Sequence, residues 1–342
     1  MRRKHEKSLG IRDIAKLARV STATVSRVIN TPERTSQKTY EKVMDIIKQN
    51  SYVPNQIARN FFSGSSNSIG FMVFDLRIPF YISIIQHLNQ LALENGMTLM
   101  ICDTGTSIER ELTYYQYCRS MHASGIVLTE GWVEGWYEHI NNTLEETSNH
   151  IPIVLLDRDA PSGLNCYSVK SDHKQGIRLL VEHLYNLGHR EIGFISGPDY
   201  MSSAVERSSS YQASLEKFHI PFKREFVFKG DFSQTAGMEA FDYYESLTSP
   251  PTAIIASDDN MAKGFILKAN SCGVKIPEKY SICGVDGIDP KDFFPQITSI
   301  RQNTKVLSAA IFDFIVNFDT VQPPQQAIIE VDLFEGQTCR RV

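Results

Sequence analysis

The run Ile11-Arg-Asp-Ile-Ala-Lys-Leu-Ala-Arg-Val-Ser-Thr-Ala-Thr-Val-Ser-Arg-Val-Ile-Asn30 holds two short amphipathic stretches separated by three residues. Apolar residues recur at helical spacing at Ile11, Ile14, Ala15 and Ala18, and again at Val25, Val28 and Ile29. A third set follows at Tyr40, Val43, Ile46 and Ile47. Three helices are predicted. The connection Arg19-Val20-Ser21 is short enough to make the first two cross steeply, the geometry of a helix-turn-helix. Ser21 is suited to cap a helix starting at Thr22, and Ser36 to cap the third. Periodicity alone describes an inert three-helix bundle equally well.

The polar residues separate the two readings. Thr22, Ala23, Ser26 and Arg27 lie off the apolar stripe, with small side chains at the end of the helix where a recognition helix meets base edges. Arg27 can fork onto guanine, and Ala23 can touch a thymine methyl. Ser21, Thr24 and the first backbone amides suit phosphates, which fix register without reading sequence.

Charge is distributed unevenly around this segment. Residues 1–63 carry 13 Lys/Arg and 5 Asp/Glu, while the remainder carries 22 and 34, so a basic head precedes an acidic body. Such a head is the footprint of a polyanion-binding module. At 342 residues the chain is long enough for two or three packed units. No apolar run approaches the roughly 18 residues of a membrane span. Met1-Arg2-Arg3-Lys4 is followed by polar residues rather than an apolar stretch, which argues against export. The six cysteines, at 102, 118, 166, 272, 283 and 339, lack the spacing of a zinc site or a disulfide framework, and buried thiols are expected. No phosphate loop, dinucleotide fingerprint, nucleophile triad or metal-spaced cluster points to an enzyme. His183 and His189 read as structural.

The quoted run resembles the DNA-binding head of the lactose/galactose repressor (LacI/GalR) family of bacterial transcription factors. The likeness continues through Tyr52-Val-Pro-Asn-Gln-Ile-Ala-Arg59, similar to that family's hinge segment, and extends over essentially the whole chain. It implies that Thr22, Ala23 and Arg27 read bases, with Ser21, Thr24, Ser26, Asn30, Asn55, Ala58 and Arg59 also at the DNA. In the family a hinge leucine wedges into the minor groove; here Phe61 stands at that position, and an aromatic can also unstack a base step. Arg19 and Ser51 occupy turn positions where the family usually has glycine. A left-handed backbone there would cost a non-glycine residue about 1 kcal/mol.

Beyond the polar joint Ser63-Gly-Ser-Ser-Asn-Ser68, strand and helix patterns alternate. Strands are predicted at 69–74, 98–102, 125–128 and 153–156, then at 192–195, 225–228, 253–256 and 281–285. Helices are predicted at 80–95, 174–187, 208–218, 234–246 and 260–272. Two doubly wound units place a ligand at the carboxyl ends of their strands. Arg207, Phe232, Asp258 and Asp286 follow such ends, and this set of acceptors, guanidinium and aromatic face suits a carbohydrate or a purine. By resemblance, Arg207 to Tyr211, Gly230 to Phe232, Ala256 to Ala262 and Cys283 to Asp286 match the family's effector-binding elements. Phe80, Tyr81 and Asp157 are added from the first lobe. Ser210, Gly287 and Glu335 depart from the family's usual residues.

The expected architecture is α/β. A three-helix helix-turn-helix head spans residues 1–52 and a hinge helix and linker 53–66. A periplasmic-binding-protein-like effector and dimerisation domain of two doubly wound parallel-sheet lobes spans 67–342. Lobe one is expected at about 67–165 and 302–322, and lobe two at about 166–301 and 323–342. The resemblance implies a cytoplasmic, nucleoid-associated homodimeric repressor of carbohydrate-utilisation genes. It binds a pseudopalindromic operator under control of a sugar or sugar phosphate, with no metal or cofactor. A nucleobase effector, a protein corepressor and, more remotely, a sugar-transport binding protein are the alternatives.

Overall fold

The computed structural model describes residues 9–50, 52, 66–105, 107–130, 148, 150–160, 165–287, 294–318 and 325–342; the side chains of Asn30 and Gln325 are not included. Two compact units divide the chain, residues 1–66 and residues 67–342.

In the first unit the expected helices are α1 (Ile11–Ala18), α2 (Thr22–Asn30) and α3 (Gln37–Gln49), with a single 3-10 turn at Pro32–Arg34. Ile14, Ala18, Val25, Val28 and Val43 are fully buried and form one core. Burying each larger aliphatic side chain contributes about 1.5–3 kcal/mol, which small helices of this length need in order to persist. Ser21 accepts from the Thr24 N–H at 3.0 Å. Ser36 caps α3 in the same way. Arg19 is left-handed, with φ 52° and ψ 46°. The Val20 N–H reaches Ala15 O at 3.0 Å and the Arg19 N–H reaches Lys16 O at 3.2 Å, a Schellman closure of α1. Ser51 lies outside the described residues.

The second unit contains two six-stranded sheets. The first uses β1 (Ser68–Val73), β2 (Thr98–Asp103), β3 (Gly125–Leu128), β4 (Ile153–Leu156), β5 (Cys166–Ser171) and β11 (Gln325–Ile329), in the order β11-β5-β4-β3-β1-β2. All its pairings are parallel. The second uses β6 (Ile192–Ser196), β7 (Val227–Lys229), β8 (Ala253–Ala256), β9 (Ser281–Asp286), β10 (Thr298–Gln302) and β12 (Val331–Phe334), in the order β12-β10-β9-β8-β6-β7. Only β10 with β12 is antiparallel. Every residue of β3, β4 and β8 is buried, as expected of strands covered on both faces.

Helices α4 (Pro79–Glu94), α5 (Ile108–Ser120) and α10 (Thr304–Val316) flank the first sheet. Helices α6 (His173–Asn186), α7 (Ser202–Lys217), α8 (Gln234–Ser246) and α9 (Asp259–Ser271) flank the second.

The lobe limits expected at 165 and 322 move. Cys166 pairs with Ile153 and Gln325 with Tyr167, so β5 and β11 extend the first sheet before the chain leaves it. The crossings fall instead between β5 and α6, between β10 and α10, and between β11 and β12, each through one residue: Asp172, Asn303 and Glu330. Asp172 and Asn303 also cap the helices they precede, accepting from Gln175 N–H at 2.8 Å and Val306 N–H at 3.1 Å. The strand expected at 225–228 is a 3-10 turn at Arg224–Phe226 running into β7, and the helix expected at 208 starts at Ser202.

Candidate functional site

Two sites are built on these units. On α2, Thr22, Ala23 and Arg27 are exposed, while Val25 and Val28 point into the core. Thr24 and Ser26 are half-buried. The hydroxyls of Ser21 and Thr24 lie 2.9 Å apart, so whichever donates to the other, one O–H proton is left at the helix start for an acceptor. Exposed small residues, an arginine one turn further on and a positive helix end form a surface that can enter a major groove. Asn55, Ala58, Arg59 and Phe61 lie outside the described residues.

The second site is a cleft within residues 67–342 whose empty space, with the part open to solvent, is about 330 Å³; it is lined by Phe74, Ile78, Phe80, Tyr81, Glu130, Asp157, Ser203, Arg207, Phe232, Asp258 and Asp286. All seven residues expected at the effector site converge here. Asp157, Phe232 and Asp286 reach it from strained backbone, with φ of 56°, 67° and 120°. Non-glycine residues in such regions cost about 1–3 kcal/mol each and persist where the surrounding fold holds them. Gly197 makes room for the Phe232 ring, which would lie 2.2 Å from any Cβ placed there. Tyr81 sits edge-on to Phe74 and Phe80, with ring centroids 5.5 and 5.3 Å away.

Polar contacts hold the carboxylates in place. Asp258 caps α9, its Oδ1 accepting from the Met261 N–H at 2.9 Å. Asp286 Oδ1 accepts from Gln302 at 2.7 Å, and Asp157 Oδ1 lies 3.2 Å from His173 Nε2. Arg207 donates through Nη1 to Ser257 O at 2.6 Å and through Nε to His173 Nδ1 at 3.3 Å. Because a guanidinium only donates, His173 Nδ1 is the acceptor, and Nε2–H is the proton given to Asp157. Glu130 accepts from both the amide and the hydroxyl of Ser203, the latter at 2.6 Å. Asp259 is turned away, bonded to the Ser299 hydroxyl at 2.7 Å beneath Gly284.

Three of the acids, Asp258, Asp286 and Glu130, do not titrate as free carboxylates. Burial, with Asp286 next to it, pushes Asp258 well above the usual carboxylate range. Burial also raises Asp286, to about 6, and raises Glu130, to which Asp157 adds a like charge. Burial raises the Tyr81 phenol, and Glu130 adds to the effect.

Glu130, Ser203, Phe74 and Ile78 were not legible as site residues, nor were the supporting His173 and Gln302. For Glu130 a signal existed: it follows the end of β3 as Asp157 follows the end of β4. Among the described residues no group of three His, Cys, Asp or Glu is placed to hold a metal ion, and no helix is long and apolar enough to cross a membrane. Cys283 and Cys339 come within 3.4 Å as free thiols.

Comparison with known proteins matches both units. Residues 10–55 match the bacterial regulatory proteins of the lacI family, and residues 181–339 match the periplasmic binding protein-like domain. The HTH-type transcriptional repressor CytR of Escherichia coli K12 is 32% identical over 301 residues, covering 88% of this chain and 86% of its own length. The chain belongs to the LacI family. It is a DNA-binding transcriptional repressor and not an enzyme. The HTH-type transcriptional repressor PurR of Edwardsiella ictaluri is 28% identical over 324 residues, covering 94% of this chain and 93% of its own. The Lac repressor dimer bound to operator and the anti-inducer ONPF has the same fold. Its TM-score is 0.85 at 25% identity, over 98% of this chain and 100% of that one.

Proposed function

We propose that this LacI-family repressor binds a pseudopalindromic operator as a homodimer and is controlled by a small polyhydroxylated effector, sugar-like in its chemistry, held in the cleft between its two sheets. The convergence of Asp157, Arg207, Asp258 and Asp286 with the Phe232 ring carries this reading. Acidic oxygens accept from hydroxyls, the guanidinium donates to ring and hydroxyl oxygens, and the aromatic covers an apolar face. A phosphate group, the other form the sequence suggests, fits less well, because among the described residues four acid groups and one guanidinium line the cleft.

One head offers too little surface to find one site among a genome of competitors, so two half-sites are needed. The edge strand β2 and its flanking helices supply an apolar face for a second subunit: Leu93 is 63% exposed, Ile101 47% and Tyr117 50%. Effector binding would bias the angle between the lobes at the three single-residue crossings, and through it the spacing of the heads.

The test begins with an operator selected from random duplexes by the full chain. Its affinity is then measured by fluorescence anisotropy with and without a panel of sugars and nucleosides. One class should shift the affinity, and Asp286→Ala should remove that shift while leaving ligand-free operator affinity within about twofold. A normal shift in Asp286→Ala refutes the site.

A nucleoside effector is the second reading, favoured by Phe232, whose ring can stack on a base as well as on a sugar. The same panel decides between them.

A further inference from the structure

The cleft gathers more acid groups than a neutral ligand requires; burial and mutual repulsion already raise Glu130, Asp258 and Asp286 there, and a cation among them would return them to the charged form. Among the described residues, Glu130, Asp157, Asp258 and Asp286 line it against one guanidinium, that of Arg207, two of whose nitrogens are already committed to Ser257 O and His173. The charges around it do not reverse the balance. Asp259 adds a carboxylate behind Asp258, and Arg158 pairs with Glu111 at 3.1 Å. His173 accepts from Arg207 through Nδ1 and donates its Nε2–H to Asp157, so both of its ring nitrogens are engaged within the protein.

Each of the three aspartates is anchored through one oxygen only: Asp157 by His173, Asp258 by the Met261 amide and Asp286 by Gln302. The second oxygen of each has no hydrogen-bond partner among the described residues. Three fixed acceptors therefore stand around a cavity that the protein itself supplies with few donors. They are too dispersed to enclose one metal ion, so the compensating charge and donors suit an organic molecule that spans them. Phe74, Ile78, Phe80 and Phe232 line the same cleft and offer apolar surface to the ligand's frame.

We propose that the effector carries a protonated amine on a small polyhydroxylated frame, and that the aspartates of this cleft select it over neutral and anionic analogues. This rests on the reading of the cleft as the effector site. An ammonium offers three donors and no acceptor, which matches the surplus here, and charge-assisted bonds to carboxylate are roughly twice as strong as neutral ones. A phosphate or carboxylate would bring a further negative charge into a buried site already holding four acids, which is disfavoured whatever its shape.

The test uses matched sets differing only in charge: D-glucosamine, D-glucose and D-glucose 6-phosphate; D-galactosamine, D-galactose and D-galactose 6-phosphate; and 3′-amino-3′-deoxyadenosine, adenosine and adenosine 5′-monophosphate. Binding to the full chain is measured by thermal shift and then by calorimetry. In at least one set the amine should bind about tenfold or more tighter than the neutral member, and the phosphate should not bind. Asp258→Asn, which keeps the helix cap, and Glu130→Gln should each weaken binding of the amine by a larger factor than binding of the neutral member, so that the amine preference shrinks. Equal or tighter binding of the neutral or phosphorylated members overturns the proposal and leaves the cleft as an effector site. If no member stabilises the wild type more than it stabilises Arg207→Ala, the reading of the cleft fails, and the proposal with it.

Discussion

Replacing Asp286 by asparagine should stabilise the folded protein at neutral pH and do so only there. In the fold this carboxyl is held at about 6 against an ordinary 3.8, chiefly because it is buried. An acid whose pKa is raised on folding contributes its full share of stability below the unfolded value and loses it as pH rises through the folded one. Between about pH 4 and pH 6 the folded state therefore weakens. The difference in pKa corresponds to about 3 kcal/mol once the group is forced to ionise. Water entering the open cleft reduces this, so a gain of about 1–3 kcal/mol is expected for Asp286→Asn at pH 7.5, falling towards zero at pH 4. Asparagine keeps an acceptor for the Gln302 amide, now 2.7 Å from Asp286 Oδ1, so that donor is not orphaned, and the new NH2 takes the place of the second carboxylate oxygen in the open cleft. Asp258, raised in part by Asp286, should also ionise more easily in the variant, which acts in the same direction. Urea unfolding followed by circular dichroism at pH 4, 5 and 7.5 measures this directly. A variant no more stable than wild type at pH 7.5, or equally stabilised at every pH, would show that the carboxylates are not held at a cost.

Other substitutions probe the remaining links. Arg27→Ala should weaken operator binding by about 1–3 kcal/mol and relax base preference at one position of each half-site, read by competition with single-base operator variants; unchanged preference excludes Arg27 as a base reader. Arg19→Gly should stabilise the head by about 0.5–1 kcal/mol, since it removes the left-handed penalty of an L side chain at the price of chain entropy, measured as slower amide exchange at Val25 and Val28. Gly264→Ala should destabilise the second lobe by about 1–3 kcal/mol, because its Cβ would fall 1.9 Å from Gln234 O where α8 and α9 touch, and a urea midpoint equal to wild type would contradict that contact.

The head was legible from sequence because its signals are local. A 3.6-residue period, a serine before each helix and a three-residue turn all act within one or two helical turns, and Arg19 takes the left-handed conformation its position foretold. The alternation of buried strands and helices in the body was legible for the same reason. What sequence could not supply was pairing over distance. That Cys166 extends β4 in register, or that Gln325 returns to Tyr167, depends on which edge is open after the rest of the sheet has formed.

The acid site shows the same division. Asp157, Phe232, Asp258 and Asp286 follow strand ends and could be named one by one as ligand candidates. Their combined charge could not be read, because Glu130, Asp157, Asp258 and Asp286 act on one another only where the two sheets bring them around one cavity. Sequence determined that this chain is a repressor with a helix-turn-helix head and a two-sheet body. Tertiary structure alone decided that Phe74, Ile78, Glu130 and Ser203 join the cleft, and that Asp259 is held by the Ser299 hydroxyl. It also decided how strongly burial resists ionisation of Asp258 and Asp286, since desolvation and charge repulsion depend on distance in space and not on separation along the chain.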